Sequence, residues 1–372
     1  MLIINARIIT MSADDEAGGA IDNGFIEISG ERISDIGEMA AAPIRPNDEI
    51  IDLGGRTVIP GFIDAHTHLG LCRAGEPYCE SYINSGANTS PQRSPLECAL
   101  ADSYFDEALR AGVTAAAITF GSESPMPGKV SVVKTYGGDM SSMVIKEYAA
   151  QKLALGENPN KALGDIGAAG VIRAELKAAR EFVLKGHGEY APEKAAALKP
   201  LLEGKLPAHI HVHALEDINA ALEIAEEFKI KIVLLHATDG YMLADTIKLR
   251  GIPVIYGPIV NDKSKAELMR MDEACPAVLS RAGVLTALCT DHPETPAKYL
   301  QLCAAVAVRN GMTALDALRA VTINAARILG IDEQTGSLEK GKDADMAVFA
   351  GDPLDVRCAP EMVICNGERI RV

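Results

Sequence analysis

The sequence predicts an α/β fold: a (β/α)8 TIM barrel between two β-rich ends. Three observations carry this. Short strand-like segments fill the first sixty and last forty residues, strand-like runs alternate with amphipathic helical stretches in between, and histidines gather at the ends of the central runs. At the start, Leu2 to Thr10, Phe25 to Ser29, Arg32 to Ile36 and Glu49 to Leu53 read as strands, parted by turn-formers such as Asp22-Asn23-Gly24 and Gly54-Gly55. At the end, Ala344 to Phe349, Glu361 to Cys365 and Arg369 to Val372 read alike, the last two joined by Asn366-Gly367.

In the middle the strand candidates are Val58 to His66, Val113 to Thr119, Val130 to Thr135, Lys152 to Leu155, His209 to His213, Lys231 to His236, Pro253 to Tyr256 and Val284 to Cys289. Helices fall between several of them. Ser94-Pro95-Leu96-Glu97 is a capping box with proline at the first helical position, and Gly112 closes that helix. Asp217 to Phe228 carries an apolar stripe through Ile218, Ala221, Leu222 and Ala225, and Thr313 to Leu329 ends at Gly330. This number of strands matches a (β/α)8 barrel in size, with a doubly wound sheet as the alternative. Two long Gly/Pro/Ser/Asn-rich connections, Gly70 to Arg93 and Gly121 to Gly128, follow strands and so fall on the barrel face where active sites form.

Composition sets the outer bounds. The chain has 372 residues, 48% of them apolar and 23% charged, which is globular composition. A net charge of −15 opposes nucleic acid and anionic membranes as partners. Aromatics at 4%, with no tryptophan, oppose a base-stacking platform. The eight cysteines form no C-x-x-C pair, which fits reduced thiols in a cytoplasmic protein better than a disulfide scaffold or a cysteine zinc site. No apolar run reaches membrane-spanning length, and MLIINARIIT reads as a strand and not as a signal peptide.

The histidines carry the chemistry. Of eight, five sit in two tight groups, His66 with His68 and His209 with His211 and His213; His236 and His292 stand at the ends of two further strands, while His187 reads as a solvated loop residue. Residues i and i+2 of a strand share a face, about 6.6 Å apart, so two imidazoles at that spacing can converge on one ion. Four predicted strands end in His68, His213, His236 and Asp291. Satisfied core histidines have no reason to gather at carboxyl ends, whereas ligands of a zinc-like divalent ion do.

The segments Pro60-Gly61-Phe62-Ile63-Asp64-Ala65-His66-Thr67-His68, Thr290-Asp291-His292-Pro293 and Gly336-Ser337-Leu338-Glu339-Lys340-Gly341-Lys342-Asp343-Ala344-Asp345 resemble the amidohydrolase superfamily along essentially the whole chain. The likeness is to its imidazolonepropionase-like and prolidase-like branch. It implies a barrel carrying one or two divalent metals, most simply zinc, and a small β-sandwich built from both termini. The implied partition is residues 1–58 and 339–372 for the sandwich and 59–338 for the barrel. It also implies metal ligands at His66, His68, His236 and Asp291. On the fifth strand the resemblance selects His211, with His213 lining the pocket and His209 deeper, as a core histidine. On the fourth strand two-metal relatives carry a carboxylated lysine, which Lys152 matches; Glu157 and Lys134 are the other candidates.

A metal-activated hydroxide with Asp291 as proton shuttle would then attack a carbonyl bonded to nitrogen. His213 or His292 could stabilise the oxyanion, and Arg73, Arg93 and His292 could contact the substrate. Asp64 reads as structural. No G-x-S-x-G elbow supports a serine hydrolase. A metal-dependent deaminase is the alternative activity, lowered because position 214 is alanine and Glu216 lies three residues beyond His213, not His211. A metal-free binding or assembly protein on the same scaffold is a third reading, disfavoured by the complete ligand set. The expected partner is a small-molecule substrate; a homo-oligomer is left open.

Overall fold

The computed structural model describes residues 1–12, 19–46, 49–72, 75, 89–161, 163 and 167–372. The first five strands are β1 (Leu2–Ile9), β2 (Ala20–Ser29), β3 (Arg32–Glu38), β4 (Ile50–Asp52) and β5 (Thr57–Pro60). Eight follow in the body of the chain: β6 (Phe62–Thr67), β7 (Val113–Thr119), β8 (Gly128–Lys134), β9 (Val144–Ala154), β10 (Ala208–Val212), β11 (Ile232–His236), β12 (Val254–Tyr256) and β13 (Thr286–Leu288). The chain closes with β14 (Met346–Phe349), β15 (Met362–Cys365) and β16 (Glu368–Ile370).

Both termini enter one eight-stranded sheet, ordered β16-β15-β14-β5-β1-β2-β3 with β4 also on β1. Asn5, at φ +53°, interrupts β1, and the register shifts on either side of Ala6. The first half of β1 pairs with β4 and the second half with β5. A bulge of this kind bends the strand, so Ile3, Ile8, Ile26, Ile33, Val58, Leu338, Met346 and Val348 share one apolar core.

The second eight-stranded sheet runs β6 to β13 in chain order and forms the nearly closed wall of a (β/α)8 TIM barrel. Its seam is sealed at the carboxyl ends, where Asp291 N donates to His66 O at 3.1 Å and His68 N to His292 O at 2.9 Å. Small and branched residues (Ala65, Ala115, Ala117, Val132, Val233, Ala287) fill the interior, and the helix Ile323–Leu329 packs against them. Outside, the helices Ser103–Arg110, Gly167–Lys185, Leu215–Phe228, Cys275–Arg281 and Leu300–Arg309 bury their apolar faces on the strands.

Four elements depart from expectation, each for a local reason. The run expected as one strand from Val58 to His66 breaks at Gly61, so β5 joins the terminal sheet and β6 the barrel. A Cβ at Gly61 would stand 2.1 Å from Thr114 Oγ1, and its N–H bonds to Asp345 O at 3.0 Å, so only glycine fits the crossing between sheets. Strand β8 runs antiparallel to both neighbours. The connections at 120–127 and 135–143 are shorter than the dozen or so residues a parallel crossover needs, so two hairpins replace two helices. The helix expected from Ser94 is a 3-10 turn, Pro95–Glu97, followed by a helix starting at Ser103 with Asp102 as its cap; Leu100 N is taken by Gly70 O. The helix expected over Thr313 to Leu329 is two, Ala314–Ala320 and Ile323–Leu329, because Val321 O accepts from Ile63 N of β6 instead of the next turn. Gly330 does cap the second, in the left-handed region.

Candidate metal centre

The carboxyl ends of β6, β9, β10, β11 and β13 deliver His66, His68, Lys152, His211, His213, His236 and Asp291 to the lining of one cavity of about 190 Å³. Two groups of three ligand atoms form there, His66 with His68 and Asp291, and His211 with His213 and His236; within each, the atoms lie inside 4.8 Å of one another. His66 Nε2 and His68 Nε2 approach Asp291 Oδ1 at 3.2 and 3.3 Å. The groups adjoin, with the rings of His66 and His236 centred 5.3 Å apart and those of His211 and His236 4.6 Å apart.

Backbone geometry aims these side chains. His236, Ala237 and Asp291 all have positive φ, at +65°, +45° and +53°. Non-glycine residues in that region cost about 1–3 kcal/mol each, and such strain clusters at functional sites. Second partners fix the ring faces: His68 Nδ1 is hydrogen-bonded to Thr119 O at 2.5 Å, His236 Nδ1 to Gly257 O at 2.5 Å, and His213 Nδ1 to Thr238 Oγ1 at 2.8 Å. Each leaves Nε2 for the centre, the usual support of a metal-binding histidine. The buried Nε2 atoms of His211 and His236 have no hydrogen-bond partner among the described residues. Two converging unpaired ring nitrogens beside a carboxylate suit a divalent ion.

Electrostatics prepares the same state. Burial holds His66, His211 and His213 well below the ordinary imidazole range and His236 down at about 4, so the rings are neutral acceptors at neutral pH. Burial alone would raise Asp291, but the imidazoles of His236, His66 and His68 hold its carboxyl well below the usual range. Burial also lowers the Lys152 amine to about 7, against weaker opposition from Asp291 and Cys289.

The remaining candidates lie elsewhere. Lys134 is at the opposite end of the barrel, because β8 is reversed, and binds Asp343 at 2.7 Å and Asp345. Glu157 faces outward toward Lys161. His209, paired in register with Lys152, is fully buried beneath the centre. Asp64 ties β6 to the end of β13, accepting from Thr290 N at 3.0 Å and from Thr290 Oγ1. His292 packs on Tyr104, and its Nδ1 accepts from Ala297 N at 3.3 Å. The Arg93 guanidinium lies over Phe120, 4.2 Å from the ring centre, and does not line the cavity; Arg73 falls outside the described residues.

Sequence reasoning missed the far wall of the cavity: Tyr256 at the end of β12, Asn261, Ser264, Lys265, Leu268 and Met271 from the connection after it, with Glu294, Ser122 and Asn158. The available signal was positional. Gly257 to Met271 is a polar connection after a barrel strand, on the same face as the histidines.

Residues 57–370 match the model of the amidohydrolase family, so the chain belongs to that family and is a hydrolase acting on carbon–nitrogen bonds. Among its relatives is the imidazolonepropionase of Sphingopyxis alaskensis, 28% identical across 95% of this chain and 92% of that one. The crystal structure of an amidohydrolase from Thermotoga maritima MSB8 superposes with a TM-score of 0.92 at 31% identity, covering 99% of both chains. A prolidase complexed with N-methylphosphonate-L-proline superposes at 0.64 with 18% identity over 100% of this chain and 99% of that one, a likeness of fold. The resemblance read from the motifs, including its branch, is borne out. No helix among the described residues is long and apolar enough to cross a membrane.

Proposed function

We propose that this chain hydrolyses an amide, lactam or peptide-like bond of a small molecule at a centre of one or two divalent ions, zinc in the simplest case. One observation carries the reading: two three-ligand groups, His66/His68/Asp291 and His211/His213/His236, share one cavity at the mouth of the barrel. A bound divalent ion supplies Lewis acidity there, activation of water near neutral pH and polarisation of a carbonyl.

The chain's own residues do the rest. The histidines hold the ion through neutral ring nitrogens. Asp291, ionised and facing His66 and His68 through Oδ1, is suited to take a proton from the attacking water and return it to the leaving nitrogen. His213, fixed by Thr238, presents Nε2 toward the cavity, where it ligates or stabilises the developing oxyanion. A Lys152 amine lowered to about 7 is partly neutral at physiological pH and can react with carbon dioxide, which supports a carboxylated Lys152 joining the two groups.

A deaminase is the second reading, favoured by the buried carboxylate of Glu267, whose Oε1 lies 3.8 Å from His213 Nε2. Both its oxygens are engaged, by Lys265 at 2.9 Å and by Glu157 N at 2.8 Å, which leaves it poorly placed to shuttle protons. The test is a screen of N-acyl amino acids, dipeptides, lactams and imidazolones against zinc- and manganese-loaded protein, scoring new carboxylate and ammonia separately. New carboxylate with a released amine is expected. Ammonia from an amino-heterocycle without new carboxylate would replace this reading with the deaminase.

A further inference from the structure

The cavity has a charged feature that hydrolysis itself does not use. Among the described residues, the lysines and arginines lining it are Lys152, on the metal side, and Lys265, on the far wall. Lys265 is well fixed for a lysine on a connecting segment: its side chain is 21% exposed, and its Nζ stands 2.9 Å from Glu267 Oε1. Glu267 is itself anchored, its side chain 7% exposed and its Oε2 accepting from Glu157 N at 2.8 Å. An ammonium has three N–H donors. Glu267 holds the group by an ion pair, and donors not turned to it can face the cavity.

The position limits what Lys265 can recognise. Glu267 Oε1 is 2.9 Å from Lys265 Nζ and 3.8 Å from His213 Nε2, so the ammonium and a ligand group stand beside the same carboxylate oxygen. Its charge acts on His211, His213 and His236. A group reaching Lys265 while a carbonyl sits at the centre must therefore be attached close to that carbonyl. The cavity, at about 190 Å³, is below the ~300–1,000 Å³ of sites for drug-sized ligands. Asn261 and Ser264 add neutral polar groups next to Lys265. Glu294, the carboxylate on the same wall, is shifted upward by partial burial while its hydrogen bond with Asn261 acts the other way.

We propose that Lys265, positioned by Glu267, is the specificity residue for substrates that carry a carboxylate within a few bonds of the scissile amide, as N-acyl amino acids do. The proposal rests on the amide-hydrolase reading, and its test separates the two. Metal-loaded wild type, Lys265→Met and Lys265→Arg are assayed on matched pairs: N-acetyl amino acids and the N-acetylamines of the same skeleton without the carboxylate. Wild type should prefer the acid by roughly tenfold to a hundredfold in kcat/KM, the range of a charge-assisted hydrogen bond, expressed mainly in KM. Lys265→Met should bring the acid-to-amine ratio toward one, and Lys265→Arg should keep part of it. A wild-type ratio near one, or a ratio unchanged in Lys265→Met, overturns the proposal; the wild-type ratio decides alone if the variants do not fold. If wild type hydrolyses no member of either series, the amide-hydrolase reading is what fails. The anchor is then judged by calorimetric titration of metal-loaded wild type and Lys265→Met with glutarate. Binding weakened by a similar factor in the variant supports the anchor; equal affinity, or no binding to wild type, overturns it.

Discussion

Lys134 joins the barrel to the terminal sheet, and Lys134→Met should be among the most destabilising single changes outside the candidate metal centre. The side chain is 5% exposed, and its Nζ binds Asp343 Oδ2 at 2.7 Å and Asp345 Oδ2; those carboxylates are 5% and 1% exposed. Asp343 retains Arg32 at 3.0 Å, but among the described residues Asp345 would keep neutral donors, among them Thr335 Oγ1 and Asn366 N, each at 2.9 Å. Removing one partner of a buried pair costs about 3–5 kcal/mol, because a charge is left uncompensated. Near the large-domain end of the usual scale, about 2 °C per kcal/mol, that is a fall of about 6–10 °C in Tm. Adding Asp345→Asn removes the stranded charge, so the double variant should regain part of the loss, and the thermodynamic cycle should show clear coupling. Burial alone would lower the Lys134 amine, yet Asp345 and Asp343 outweigh it and raise it above 10.5. A raised folded value means the stabilisation is complete below about 10.5 and lost as pH climbs through the folded value. Urea denaturation at pH 7 and pH 11 reads both effects. A Lys134→Met protein within 1 kcal/mol of wild type at pH 7, or strict additivity with Asp345→Asn, would refute the reasoning.

Two further predictions concern the interior and the chemistry. In metal-free protein, His209 is held down to about 3 by burial, so its contribution to stability is present above the unfolded value near 6.5 and drains as pH falls toward 3. His209→Leu should therefore lower the slope of stability against pH between 6 and 4 by up to about 1.4 kcal/mol per unit; urea titrations with identical slopes would count against it. Asp291→Asn should lower kcat by roughly 10²–10⁴ while the circular dichroism of the fold is kept, with metal content measured on the same sample to separate lost proton transfer from lost metal. Full activity in that variant would remove Asp291 from the mechanism.

The fold was legible where periodicity and turn chemistry agree. Each barrel strand overlaps a predicted run, β9 only through Lys152 to Ala154, because these are apolar or branched stretches bounded by turn-formers. The direction of β8 was not legible from its own residues; it depends on the short connections around it. Likewise the start of β9, Val144 to Tyr148, mixes Lys146, Glu147 and Tyr148 into the pattern because that part of the strand is only partly buried. The breaks at Gly61 and after Val321 are tertiary: Thr114 crowds one and Ile63 takes the carbonyl of the other. The clustering of the histidines and Asp291 at the barrel mouth was legible because strand ends put side chains at fixed spacing. Lys265, Glu267 and Glu294 were not, since irregular segments bring them together and no spacing records that.

The central claim is that the two groups of side chains at the barrel mouth hold a divalent metal. Its most direct test is elemental analysis by inductively coupled plasma mass spectrometry after zinc or manganese loading and desalting, comparing wild type with His66→Ala/His68→Ala. The account predicts one to two equivalents retained by wild type and, in a variant whose circular dichroism is that of the folded protein, loss of the metal held by His66, His68 and Asp291. Retention of the full wild-type equivalents by the folded double variant, or no retained metal in wild type, would contradict it.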